Sequence, residues 1–183
     1  MTVSVQTHTQ HPESSAFLRK YAIKIVQDAR DLPILDVGCG SGRHAFLLTS
    51  LGAKVICLDR DLERFESNRN HQPSNARLRP MQADLLRCPW PFGKSTLGGI
   101  LAIHFPVAPA LLVHFADSLT PGGCLLIETV GGHGGNYLEL PRAGQLRRAL
   151  SGSFDFEFYH ERKVGPAGTD SASVRLLARR RIS

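Results

Sequence analysis

The sequence has no apolar run long enough to span a bilayer: the longest, near Leu97 to His104, falls well short of the ~20 residues required. Its opening stretch, MTVSVQTHTQHPESS, is polar and lacks the basic start and apolar core of a secretory signal, so a cytoplasmic location is expected. Cysteine is scarce, with Cys39, Cys57, Cys88 and Cys124 only. None forms a CxxC pair or stands at zinc-finger spacing from a histidine, which leaves no zinc framework. Cys57 and Cys124 lie inside apolar runs and read as small buried residues, whereas Cys39, within a glycine loop, is the one expected to be exposed. His8 and His11 have no carboxylate companion at ligand spacing, and no metal site is expected. No G-x-S-x-G elbow occurs, so hydrolase chemistry has no support.

Repeats and low-complexity linkers are missing as well, and neither sign of charge dominates. Lys plus Arg number 22 against 16 Asp plus Glu, a net +6 that permits an anionic partner without requiring one. Residues 139–183 hold nine basic and five acidic residues, and Arg179-Arg180-Arg181 is the densest run. Without a broad stripe of interleaved aromatics it reads first as a solvated strand end and tail, with RNA contact as the alternative.

What is present is a length and composition suited to one domain: 183 residues, 42% of them hydrophobic. Residues 1–12 are expected to form a disordered tail and 13–183 the domain. Phe17, Tyr21, Ile25 and Ala29 recur at helical steps within 14–31, and Pro33 ends that helix. From there strand and helix alternate. Ile34 to Val37 is a short strand, and Arg43 to Leu51 a helix with Ala45, Leu48 and Leu51 inward, closed by Gly52. Lys54 to Leu58 is a buried strand, Asp61 to Asn68 a polar helix and Ala76 to Gln82 a weaker strand. Leu97 to Ile103 is again a strand, Pro109 to Leu119 a helix, Gly123 to Val130 a strand and Gly144 to Leu150 a helix. Such alternation implies parallel pairing with right-handed crossovers. Phe154 to His160 and Ser173 to Arg179 follow with no helix between them, so they should pair as an antiparallel hairpin at the sheet edge. The expected fold is therefore α/β: a Rossmann-like three-layer sandwich with a seven-stranded, mostly parallel sheet ending in an antiparallel hairpin.

Chemistry is concentrated where the first strand ends. Asp36-Val37-Gly38-Cys39-Gly40-Ser41-Gly42 joins strand to helix. Glycines there let the backbone turn tightly and approach a ligand, and the following helix N-terminus suits an anionic group. Their spacing is G-x-G-x-G rather than the G-x-G-x-x-G of the dinucleotide fingerprint. Asp59 closes the second strand 17 residues beyond Gly42, where a carboxylate can accept both hydroxyls of a ribose.

These residues resemble the class I S-adenosylmethionine-dependent methyltransferases. ILDVGCGSGRHAFLLTSLGAKVICLDRD looks like the family's first motif and second strand. Met81-Gln82-Ala83-Asp84-Leu85 is similar to its third-strand motif, Ile100 to Phe105 to its fourth-strand segment, and Leu119 to Ile127 to the entry of its fifth strand. Gly42-Arg43-His44-Ala45, with 136–146 and 156–161, looks like the small single-domain members, including the tellurite-resistance type. The resemblance implies S-adenosylmethionine as cofactor, held by Asp36, Gly38, Cys39, Gly40, Gly42, Arg43, Asp59, Arg60, Asp84, Leu85 and Ala102. Asp59 would bind the ribose, Asp84 the adenine amino group, Leu85 the ring and Arg43 the carboxylate. Ala102-Ile103-His104-Phe105-Pro106 departs from the Asn/Asp-Pro-Pro-aromatic motif of amino-directed nucleic-acid methyltransferases, which argues against exocyclic base amines as acceptors.

Methyl transfer needs a general base only when the acceptor is protonated. Candidates for the catalytic set are His104, a base or a positioning group after the fourth strand, Glu128 at a strand end, and His133 on the glycine-rich stretch 131–135, with Tyr137 flanking it. Trp90 reads as a packing or lid residue. Methyl transfer to a compact small-molecule acceptor is the expected function. The alternatives are RNA or protein methylation, a non-catalytic binding partner of the same fold, and a nicotinamide-dependent oxidoreductase, against which the glycine spacing argues.

Overall fold

The computed structural model describes residues 13–70, 76–85, 87–129 and 139–182. Helix α1 (Ala16–Asp28) starts at Ser15, whose hydroxyl accepts the backbone N–H groups of Phe17 at 3.1 Å and Leu18 at 3.3 Å. Seven strands follow: β1 (Ile34–Val37), β2 (Val55–Asp59), β3 (Leu78–Gln82), β4 (Leu97–Ile103), β5 (Leu119–Glu128), β6 (Phe154–Lys163) and β7 (Ala172–Arg180). The other helices are α2 (Arg43–Ser50), α3 (Glu63–Arg69), α4 (Pro109–Ser118) and α5 (Gln145–Leu150). The sheet order is β3-β2-β1-β4-β5-β7-β6, and only β7 runs against the rest. The three-layer sandwich and its terminal hairpin are thus as the alternation of elements implied.

Both faces of the sheet are covered, because strand side chains alternate between two cores. Leu35, Val37, Ile100, Ala102, Leu125 and Ile127 pack with Phe115 of α4 and Leu146 of α5. Ile34, Leu101, Ile103, Cys124 and Leu126 pack with Leu18 of α1, Leu48 of α2 and Phe65 of α3.

Four local readings are corrected. Leu51 is 39% exposed rather than inward, because α2 ends at Ser50. Leu119 is buried as expected but in β5, since its backbone is already extended and no loop separates it from α4. Cys39 is buried, its loop folded back on β2, and Cys88 is the exposed cysteine. The Arg179-Arg180-Arg181 run is absorbed by the fold. Arg179 bonds Asp28 at 2.6 Å and Glu157 at 2.8 Å, Arg180 reaches the carbonyls of Ala116 and Ser153, and Arg181 pairs with Asp155. Among the described residues, no helix is long and apolar enough to cross a membrane, and no group of His, Cys, Asp and Glu could hold a metal ion.

Candidate functional site

Strand β1 is where the chain reverses its direction of travel across the sheet, toward β2 and β3 on one side and β4 and β5 on the other. A crevice opens at such a point beyond the carboxyl ends of the strands. The glycine loop lies there. Gly38, Gly40 and Gly42 have φ of +68°, +53° and +78°, a region that favours glycine. The amides of Gly38 and Cys39 both donate to the Leu58 carbonyl, at 2.8 and 3.1 Å, fastening the loop to β2. A side chain at Gly38 would come within 2.6 Å of the Phe105 ring, whereas beyond Gly40 no protein atom lies within 4 Å. Gly42 is the N-cap of α2 and offers no side chain to its first-turn N–H groups.

Asp36, one residue before the end of β1, is 1% exposed, and neither of its carboxylate oxygens has a hydrogen-bond partner. Burial pushes its carboxyl up to about 7; Arg43 and the nearby Ala45 backbone N–H oppose the rise and Asp59 adds to it. Asp59 ends β2. Its Oδ2 accepts the Gly40 N–H at 2.9 Å and its Oδ1 the Asp61 N–H at 3.2 Å, which aims the carboxylate at the loop. Arg60 is exposed, its carbonyl accepting from Gln82 at 3.0 Å. Asp84 follows β3 with Arg87 at 3.7 Å, and Leu85 beside it is half-buried. Ala102 is wholly buried within β4, and His104 is the residue of this segment that reaches the surface.

Arg43, in the first turn of α2, binds two histidines. Its Nε donates to His44 Nε2 at 3.2 Å, and its Nη2 lies 3.2 Å from His104 Nδ1. His44 is 3% exposed, and burial, with Arg43 and His104 adding to it, drives its pKa down to about 3. It is therefore neutral, and its 3.9 Å approach to Asp36 is not an ion pair. His104 has φ +57°, and its amide donates to the Glu128 carbonyl at 2.7 Å. Its pKa is lowered, by burial first and by Arg43 and Arg175 against the opposing pull of Glu128.

Glu128 was expected among catalytic groups, and the structure gives its carboxylate a different task. Oε1 accepts from Arg175 Nε at 2.7 Å, and Oε2 accepts the Ser15 hydroxyl. Both oxygens are taken, and the side chain is 6% exposed. Glu128 thereby ties the start of α1 to β5 and β7. Trp90 packs, with its indole N–H on Ser118 at 2.7 Å and its ring stacked on His114. His133 and Tyr137 lie outside the described residues.

Four residues of the site escaped the sequence reading: His44, Phe105, Arg175 and Ser15. Only His44 carried a signal, as a second imidazole beside Arg43 in a helix's first turn. The others depend on which strands become neighbours.

Residues 34–123 match a family model described as a methyltransferase domain. No curated protein matches the chain. Among solved structures, an S-adenosylmethionine-dependent methyltransferase from Methanosarcina mazei is similar at 16% identity and TM-score 0.64, over 94% of this chain and all of that one. TehB from Haemophilus influenzae is similar at 17% identity and TM-score 0.64, over 90% of this chain and 66% of that one. A third is 1,6-didemethyltoxoflavin-N1-methyltransferase from Burkholderia thailandensis, solved with bound 1,6-didemethyltoxoflavin and S-adenosylhomocysteine. It is 16% identical with TM-score 0.60, over 91% of this chain and 79% of that one. At these identities the likeness is one of fold.

Proposed function

We propose that the chain, whose residues 34–123 match the methyltransferase-domain model, is an S-adenosylmethionine-dependent methyltransferase acting on a compact small-molecule acceptor. One observation carries the reading: a glycine loop at the carboxyl end of β1, with left-handed φ at all three glycines, bonded to Asp59 through the Gly40 N–H at 2.9 Å and opening onto free space beyond Gly40. Asp59 and the uncapped first-turn N–H groups of α2 supply the acceptor and the donors that a nucleoside bearing a carboxylate requires. In this reading Asp59 accepts the ribose hydroxyls, and Asp84 and Leu85 meet the adenine. Gly38, Cys39, Gly40 and Gly42 shape the backbone beneath. Arg43 has five N–H donors, of which two sit on the histidines, so donors remain for the cofactor carboxylate.

The cofactor, when bound, supplies an electrophilic methyl group on sulfur, displaced in line by an acceptor lone pair while the carbon–sulfur electrons stay on sulfur. The chain's own task is to hold the acceptor at attack distance and keep water out.

The small acceptor is favoured over RNA because the densest basic run is consumed by pairs within the chain. Incubation with methyl-labelled S-adenosylmethionine, a small-metabolite pool and total RNA tests it. Label in the small-molecule fraction is the expected result, and label confined to RNA would contradict it.

A further inference from the structure

The two sides of the crevice differ in what they offer. Asp59 ends β2 and Asp84 follows β3 on one side, with Asp36 buried within β1. On the other side His104 ends β4 and Arg175 lies on β7, while Arg43 reaches across from α2 to His104 at 3.2 Å. The carboxylate of this second half is Glu128, with one oxygen engaged by Ser15 and the other paired with Arg175 Nε, so what this half still offers is N–H donors. Donors without a free acceptor suit an anionic ligand.

The protonation pattern follows from the guanidinium. Arginine has donors and no acceptor, so each imidazole nitrogen that meets Arg43 must present a lone pair. His44 therefore accepts at Nε2 and carries its proton on Nδ1. His104 accepts at Nδ1 and carries its proton on Nε2. The charged groups facing His104 are Glu128, Arg43 and Arg175; burial first, and then the two arginines against Glu128, lower its pKa from the ordinary 6.5, so the ring is neutral at pH 7. The lone pair with which His104 could take a proton is the one that Arg43 uses.

We propose, resting on the methyltransferase reading, that Arg43 is a positioning residue fixing His104 as an Nε2–H hydrogen-bond donor, and that the acceptor is a small organic acid that attacks through an ionised oxygen. An acceptor of this kind releases no proton. Its oxygen lone pair forms the bond to the methyl carbon, its negative charge is cancelled as the sulfonium becomes a neutral thioether, and no base is required. His104 and Arg175 orient the anion as donors, and Arg43, shared with the cofactor carboxylate, holds His104 in place.

The test is nitrogen-15 NMR of the imidazoles in protein saturated with S-adenosylhomocysteine, with H104Q assigning the resonance. At pH 7 His104 should show a protonated Nε2 and an unprotonated Nδ1, and R43Q should mix the tautomers. Benzoate at millimolar concentration should shift the Nε2 signal, and benzylamine, the same ring with the opposite charge, should not. Benzoate affinity should fall roughly 10–100-fold in H104A, as loss of a hydrogen bond to a charged group would cause, and recover in H104Q, which restores a donor. A proton on Nδ1, a doubly protonated ring, or no response to benzoate would overturn the proposal. Failure of the wild-type protein to bind S-adenosylhomocysteine, measured separately by calorimetry, would instead remove the methyltransferase reading beneath it.

Discussion

The Asp59 carboxylate accepts the backbone N–H of Gly40 at 2.9 Å, joining the end of β2 to the middle of the glycine loop 19 residues earlier in sequence. One side chain thus sets the loop's position and, in the proposed function, also binds the ribose. D59A should remove both contributions and weaken S-adenosylhomocysteine binding by at least ~1.5 kcal/mol. In D59N the amide oxygen can still accept from Gly40, at the expense of the exposed Asp61 N–H, so the variant should melt closer to the wild type than D59A does while losing affinity. Calorimetric titration with unchanged affinity in both variants would refute the ribose role.

Gly38 and Gly40 share a backbone region and differ in surroundings, which separates folding from binding. G38A drives a methyl group into Phe105 at 2.6 Å in addition to the left-handed strain, and should cost more than the ~1–2 kcal/mol that strain alone costs. G40A meets open space, so its loss should stay near that figure while cofactor affinity drops. Denaturant melts alongside titrations check this, and equal destabilisation by the two substitutions would contradict it.

Asp36 makes stability depend on pH in a known direction. Its folded value, near 7, lies above the ordinary 3.8, so between about pH 4 and 7 the folded protein keeps a proton that the unfolded chain has released. Stability should fall as pH rises through that window and level off above it, by up to ~4 kcal/mol. D36N lacks the titrating group. Between pH 5 and 8 the wild type should lose about 2 kcal/mol or more relative to D36N in urea unfolding; parallel profiles would contradict the buried, unpaired state of Asp36.

At the opposite end of the sheet, burial pushes the Asp28 carboxyl up, and hydrogen bonds from Arg179 and Lys24 outweigh it, leaving its pKa below the ordinary value. This contribution is present above pH ~4 and lost as pH falls through the folded value. R179M breaks the pairs with both Asp28 and Glu157. The ion pairs are partly exposed, so a loss of about 1–3 kcal/mol at pH 7 is expected, with a shallower acid limb. An unchanged melting temperature at pH 7 would show that the network does not hold α1 to the hairpin.

The sheet, its order of elements and its reversed last strand were legible because buried parallel strands read as short apolar runs between helical patterns. The ends of elements were less so: Leu119 passes from helix to strand without a turn residue to mark it. The glycine loop and Asp59 stood out through spacing. Local sequence could not show that Cys39 folds inward onto β2, that Ala102 is sealed in the core, or that Glu128 is taken by Ser15, 113 residues away. The link between Arg43 and His104 was equally invisible, since it spans 61 residues and exists only because β4 lies beside β1.

The central claim, that the crevice binds S-adenosylmethionine, is tested most directly by thermal unfolding with S-adenosylmethionine, S-adenosylhomocysteine, NAD and NADP in parallel. A ligand at 100 times its dissociation constant adds ~2.7 kcal/mol, a rise of roughly 5–11 °C for a chain of this size. The account predicts that rise with the two sulfur nucleosides and none with the nicotinamide nucleotides. A rise with NAD or NADP, or none with the sulfur nucleosides, would contradict it.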